Sequence, residues 1–151
     1  MFVDYVQTPI GLLKITADEK FIYSVEETKT IGDINSNKII TNLKQELAEY
    51  FSGRRKIFDT PIKLVGSEFQ LSVWEALRTI PYGELVSYKD IAIKIKNEKA
   101  AIAVGSANNK NKLLIIVPCH RVIGSNKKLV GFRLGLETKQ YLIDLEKNHK
   151  M

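Results

Sequence analysis

The sequence predicts an α/β chain of the α+β kind: a small N-terminal domain of about three antiparallel strands plus a helix, then a mostly helical C-terminal domain with a helix-turn-helix. Three observations carry this. Short period-two runs fill the first 25 residues, an amphipathic helical repeat starts at Lys38, and helical spacing dominates beyond residue 66. A chain of 151 residues that is 44% apolar suits one ordinary domain or two small ones sharing a core.

Residues 1–6, 11–16 and 21–25 alternate apolar and polar positions, with turn signals at Thr8-Pro9 and Asp18-Glu19-Lys20, which predicts an antiparallel meander. Residues 31–38 are polar and Asn-rich and predict a loop. Ile39, Ile40, Leu43, Leu47, Tyr50 and Phe51 then share one face of a helix that lies on the meander, and Gly53 stops it. Residues 54–67 hold Pro61 and Gly66 and no sustained period, so a domain boundary is placed near residue 65, dividing 1–65 from 66–151.

Beyond the boundary, Ser67 is the predicted N-cap of a helix with Phe69, Val73, Trp74 and Leu77 on its face, and Glu68 suits its first turn. The run Ile80-Pro81-Tyr82-Gly83 breaks that helix. Ser87 caps another, with Ile91, Ala92 and Ile95 apolar, and the Ala-rich residues 98–108 form the next. Two short helices joined by a tight turn fit a helix-turn-helix, although a plain three-helix packing unit has the same pattern. Leu113-Leu114-Ile115-Ile116-Val117 is an unbroken aliphatic run ending at Pro118, read as a buried strand or extended segment that presents Cys119 at its end. Leu136, Tyr141, Leu142 and Leu145 mark a C-terminal helix that starts after Gly135.

Twenty-three Lys and Arg against 17 Asp and Glu give a net charge of +6 and a pI near 9.3, which favours a polyanionic partner. No apolar run approaches the ~20 residues that cross a bilayer, and the first residues show no basic segment leading into an apolar one. A cytoplasmic protein without a membrane partner is expected. One cysteine forms no internal disulfide, and Cys119 with His120 and His149 is too few for a Cys/His zinc cage, so no metal or other cofactor is expected.

Chemistry at Cys119 is therefore that of a thiol or thiolate, and a thiolate needs an imidazole or a helix N-terminus to stabilise it. His120 is adjacent. Neighbouring side chains of an extended chain point apart, so a direct bond requires a bend near Pro118, and a relay through one water is the alternative. A carboxylate is needed to orient the imidazole. The bland reading of the Pro-Cys-His triplet alone is a buried small filler beside a polar neighbour.

Five motifs in order change that weighting: Phe69-Gln70-Leu71-Ser72-Val73-Trp74, Ile80-Pro81-Tyr82-Gly83-Glu84, Ser87-Tyr88, Ala103-Val104-Gly105-Ser106-Ala107-Asn108, and Pro118-Cys119-His120-Arg121-Val122-Ile123. Together they resemble the O6-alkylguanine-DNA alkyltransferases, strongly over residues 67–146 and in layout over the N-terminal part. The resemblance implies a ribonuclease-H-like α/β domain over 1–65 and a helical DNA-binding, alkyl-accepting domain over 66–151. It implies direct repair of duplex DNA by a monomer: Cys119 takes the alkyl group from O6-alkylguanine, and from O4-alkylthymine, once and irreversibly, with the base rotated out of the stack. His120 would act as base through a water, Glu146 would hold His120, and Tyr88 would donate to guanine N3. Asn111 would link the recognition helix to the cysteine segment, the Val117 carbonyl would read the guanine edge, and Phe132, Arg133 and Leu134 would border the substrate. Tyr88, Ala100, Ala101, Ile102, Gly105 and Arg121 would meet the DNA, with small side chains, Ala103 and Ala107 among them, letting the helix into the minor groove.

The chain departs from the family pattern in two places. Ile102 stands where an arginine usually fills the hole left by the base, and an apolar wedge can hold a step open without its hydrogen bonds. Phe132, Arg133 and Leu134 replace a tyrosine, a serine and a glycine, which predicts poorer handling of benzyl than of methyl adducts. Rival readings are a non-catalytic alkyl-lesion-binding repair module, which retention of Cys119 argues against, a cysteine hydrolase, and a helix-turn-helix regulator, whose recognition helix should carry base-reading Arg, Asn or Gln.

Overall fold

The computed structural model describes residues 1–124 and 134–150. Strands β1 (Phe2–Thr8), β2 (Gly11–Ala17) and β3 (Ile22–Glu27) form an antiparallel meander in the order β1-β2-β3. Leu13, Ile15 and Ala17 alternate inward along β2, as a half-buried strand requires. Helix α1 (Lys38–Phe51) covers them with Ile40, Leu43, Leu47 and Tyr50. Asn37 caps its start by accepting from the Ile40 N–H, and Gly53, at φ +81°, takes the left-handed conformation that ends it.

Both outer edges of the sheet are occupied. Asn35 bridges Val3 on one side, while Ile62 and Leu113 bridge Ile22 and Val25 on the other. Glu46 of α1, buried, accepts from the Asp59 and Thr60 N–H groups and the Thr60 hydroxyl, and so anchors the chain that follows the helix.

The chain divides into two compact units, residues 1–65 with 112–114, and residues 66–111 with 115–150 of those described. Three residues of the later chain thus complete the first unit: Val25 donates to the Lys112 carbonyl and accepts from the Leu114 N–H. This corrects the expected strand. Only Leu113 pairs; residues 114–116 turn, and Ile115 adopts φ +73°. The run is aliphatic because it is buried almost throughout. Burial, which a turn and a strand share, leaves no period to tell them apart.

In the second unit, α2 (Glu68–Leu77) and α3 (Tyr88–Lys94) begin with reciprocal capping boxes, Ser67 with Gln70 and Ser87 with Asp90. Each such cap is worth about 1 kcal/mol. Helix α4 (Ala101–Asn109) starts later than the Ala-rich pattern suggested, with Ala100 buried at its N-cap. The Trp74 indole N–H donates to the Ala107 carbonyl and ties α2 to α4. A pair of two-residue parallel strands, β4 (Val86–Ser87) and β5 (Val122–Ile123), was not legible in the sequence, being too short for any alternation. Helix α5 (Leu136–Asn148) follows Gly135 at φ +93° and packs against the cysteine segment. No helix among the described residues is long and apolar enough to cross a membrane.

Candidate active site

Cys119, His120 and Arg121 form a single 3-10 turn between Pro118 and β5. Pro118, at φ −81° and ψ 66°, makes an inverse γ-turn in which the Cys119 N–H donates to the Val117 carbonyl at 2.8 Å. The bend that adjacent Cys and His side chains require is therefore present. The Asn111 amide donates to the same carbonyl at 2.8 Å, linking the end of α4 to the cysteine segment. The Val117 carbonyl thus accepts from both Asn111 and Cys119.

The turn packs against α5, which brings Glu146 under it. His120 is 0% exposed, and its Nε2 lies 2.6 Å from Glu146 Oε2. The Arg121 guanidinium donates to both oxygens of the same carboxylate, Nε to Oε1 at 2.8 Å and Nη2 to Oε2 at 3.0 Å, and Nη1 donates to the Ile80 carbonyl at 2.7 Å. The Gly83 N–H adds a fourth donor to Glu146 at 3.2 Å. Arg121, expected at the DNA, is buried and engaged with Glu146, because a carboxylate this far from solvent demands a charged partner.

Burial alone would raise the Glu146 carboxyl, but the hydrogen bonds and charges of His120 and Arg121 outweigh it and hold the carboxyl well below its usual range. His120 is pushed down, first by burial and further by Arg121 and Lys139, against the pull of Glu146. The imidazole is thus neutral near pH 7, with its proton on Nε2 beside the carboxylate. Its Nδ1 is buried without a hydrogen-bond partner among the described residues, so a lone pair is available. Cys119, 3% exposed, stands next to it in the chain.

Tyr88 is half-buried at the start of α3, and burial together with the nearby Cys119 raises its phenol, against a hydrogen bond from Asn108. It is a proton donor at neutral pH. Two side chains here escaped the sequence reading. Asn108, buried, donates to the Cys119 carbonyl at 3.3 Å. Lys139 of α5 is fully buried, its ammonium 5.8 Å from the centre of the Tyr88 ring, and burial lowers it to about 8 while Cys119 pulls the other way. A polar residue on the inner face of each helix was the available signal. Among the described residues no three His, Cys, Asp or Glu side chains group as metal ligands.

The small residues of α4 separate into two sets. Ala100 and Ala107 are packed inside and Ala101 and Gly105 are half-buried, Gly105 facing the Tyr88 ring, so packing accounts for Ala100 and Ala107. Ile102, 92% exposed, and Ala103 face outward. Leu134 lies half-buried just before α5; Phe132 and Arg133 lie outside the described residues.

A helix pair of helix-turn-helix order, packed beside a cysteine backed by a neutral histidine and a carboxylate, defines a nucleophilic thiol protein. Residues 68–148 match the family described as 6-O-methylguanine DNA methyltransferase, DNA binding domain, and residues 1–64 match its ribonuclease-like domain. The methylated-DNA–protein-cysteine methyltransferase of Methanosarcina barkeri is 41% identical over 156 residues, spanning 99% of either chain. The constitutive one of Bacillus subtilis is 41% identical over 152 residues, 93% of this chain and 92% of its own. The crystal structure of Mycobacterium tuberculosis OGT in complex with DNA matches with a TM-score of 0.91 at 37% identity, covering 99% of this chain and 94% of that one. The chain belongs to the 6-O-methylguanine DNA methyltransferase family.

Proposed function

We propose that this protein repairs alkylated duplex DNA by moving the alkyl group from O6 of guanine to Cys119. The observation that carries the reading is the Glu146-bound His120, whose Nδ1 has no hydrogen-bond partner among the described residues, in one turn with the only cysteine of the chain. His120 Nδ1 takes the thiol proton through one water, and the thiolate attacks the alkyl carbon. The carbon–O6 bond breaks as the carbon–sulfur bond forms, and its electron pair goes to the guanine, which Tyr88 protonates at N3. A thioether has no easy hydrolytic exit, so each molecule acts once. O4-alkylthymine, with the same alkyl–oxygen bond, is a second substrate.

The target base rotates out of the duplex at a cost on the order of a few kcal/mol. In our reading α4 enters the minor groove, exposed Ile102 fills the gap the base leaves, and the lysines at 94, 96, 99 and 110 meet phosphates. Residues 66–151 supply both DNA contact and alkyl acceptance, and residues 1–65 are a ribonuclease-H-like support. The bulkier Arg133 and Leu134, where the family has a serine and a glycine, favour methyl over benzyl adducts. A thiol outside any disulfide suits the reducing cytoplasm, where the DNA lies.

Incubation with duplex DNA containing O6-methylguanine, followed by mass measurement of the intact protein, tests the reading. A gain of one methyl group, absent in Cys119→Ala, is expected. Binding without a mass change would make the protein a lesion-binding module, and steady turnover would make it a hydrolase.

A further inference from the structure

We infer that Arg121 is a positioning residue for the chemistry of Cys119: its guanidinium takes up the charge of Glu146, so that His120 keeps the neutral Nε2-protonated form whose Nδ1 accepts the thiol proton. The inference rests on the proposed part of His120 as base and names what sustains it.

The geometry is that of a fork. Two Arg121 nitrogens reach two oxygens of one carboxylate, and a third nitrogen is fixed on the Ile80 carbonyl, so the guanidinium cannot swing away without losing three hydrogen bonds. All of this is buried, Arg121, Glu146 and His120 alike. In so dry a place the cluster must stay close to neutral. With Arg121 present, the carboxylate and the guanidinium balance, and the imidazole needs no proton. Without it, the buried carboxylate 2.6 Å from Nε2 loses its forked partner, and the imidazole is the hydrogen-bonded neighbour that can gain a proton to replace that charge. His120 would then take a second proton on Nδ1, the atom that has to receive one from Cys119.

Among the described residues, the charged and titratable groups that face His120 come from three segments. Glu146 and Lys139 approach from α5, and Arg121 and Cys119 flank it in its own turn; from the segment after α2 comes the uncharged Gly83 N–H, which binds Glu146, and Tyr82, whose ring lies 5.7 Å from the Arg121 guanidinium carbon. Arg121 and Lys139 both oppose protonation of the imidazole and Glu146 favours it, the same balance that holds His120 below its usual value. Arg121 binds the Glu146 carboxylate through two hydrogen bonds.

The chain has only two histidines, and His149 is exposed on the C-terminal turn, which provides an internal reference. The test is a side-chain nitrogen NMR titration of the full-length protein, alongside the pH dependence of single-turnover methyl transfer. The wild type should hold His120 as the Nε2–H tautomer through neutral pH. In Arg121→Met, His120 should bind its proton about tenfold or more tightly, a rise of about one pH unit. The acid limb of the transfer rate should rise with it, recovering at alkaline pH. Arg121→Lys should restore the profile in part, and Arg121→Met combined with Glu146→Gln should return His120 to the neutral form. A His120 titration unchanged in folded Arg121→Met overturns the inference. Should that variant not fold, Arg121→Lys and the double variant decide: a double variant with His120 still protonated at neutral pH overturns it equally. Absence of methyl transfer in the wild type sinks the repair reading instead, and leaves the titration to be read by itself.

Discussion

Glu146 accepts hydrogen bonds from Gly83, His120 and Arg121, all far from it in the chain, and this makes the site acid-sensitive in a definite direction. Its carboxyl titrates well below the ordinary value of 4.5 in the folded protein, so the unfolded chain binds the proton more readily. The stability this supplies is complete above about pH 4.5 and is lost as the pH falls toward the folded value. Urea unfolding at a series of pH values should show the wild type weakening below pH 4.5 more steeply than Glu146→Gln, although that variant is the less stable at neutral pH because it strands Arg121. Parallel slopes would show that Glu146 is not the linked group. Of these residues, Cys119 and His120 were legible in the sequence because they are adjacent and chemically distinctive. The pairing of Arg121 was not, because its partner stands 25 residues later in the chain and only the fold brings it beneath the guanidinium.

The helices were legible as elements because their signals are local. Ser67 and Ser87 cap within three residues of themselves, and Gly53 and Gly135 sit where φ is positive. The run at 113–117 was not, since five buried aliphatic residues carry no period. Helix α4 holds no charged side chain, and among the described residues Ile102 is the most exposed of the large apolar residues. If it is the wedge, Ile102→Ala should slow methyl transfer from duplex DNA about tenfold, by leaving the gap unfilled, yet leave transfer from the free modified base unaltered. Rapid-quench kinetics on both substrates measures this. Equal slowing on both would show a structural defect, and an unchanged duplex rate, or Ile102→Arg without effect on affinity and rate, would remove position 102 from base extrusion.

At the scale of the molecule, the chain returns once to its first unit, and Lys112–Leu114 finish the edge of β3. A fragment of residues 1–65 therefore lacks the partners of the Val25 N–H and carbonyl. Hydrogen exchange should find the Val25 amide protected in the whole protein and fast in that fragment, and added peptide spanning 110–116 should slow it again; equal protection in both would mean that the returning segment adds nothing. The sequence by itself determined the two kinds of architecture, the meander with its helix, the capped helices, and the cysteine–histidine pair, because alternation, capping and turn chemistry act within a few residues. Only the tertiary structure decided that the aliphatic run is a turn, that two tiny strands pair beside it, and that Arg121 pairs with Glu146. Those outcomes depend on which buried charges and unpaired backbone groups meet across the fold, and a contact between distant residues leaves no periodic trace in either of them.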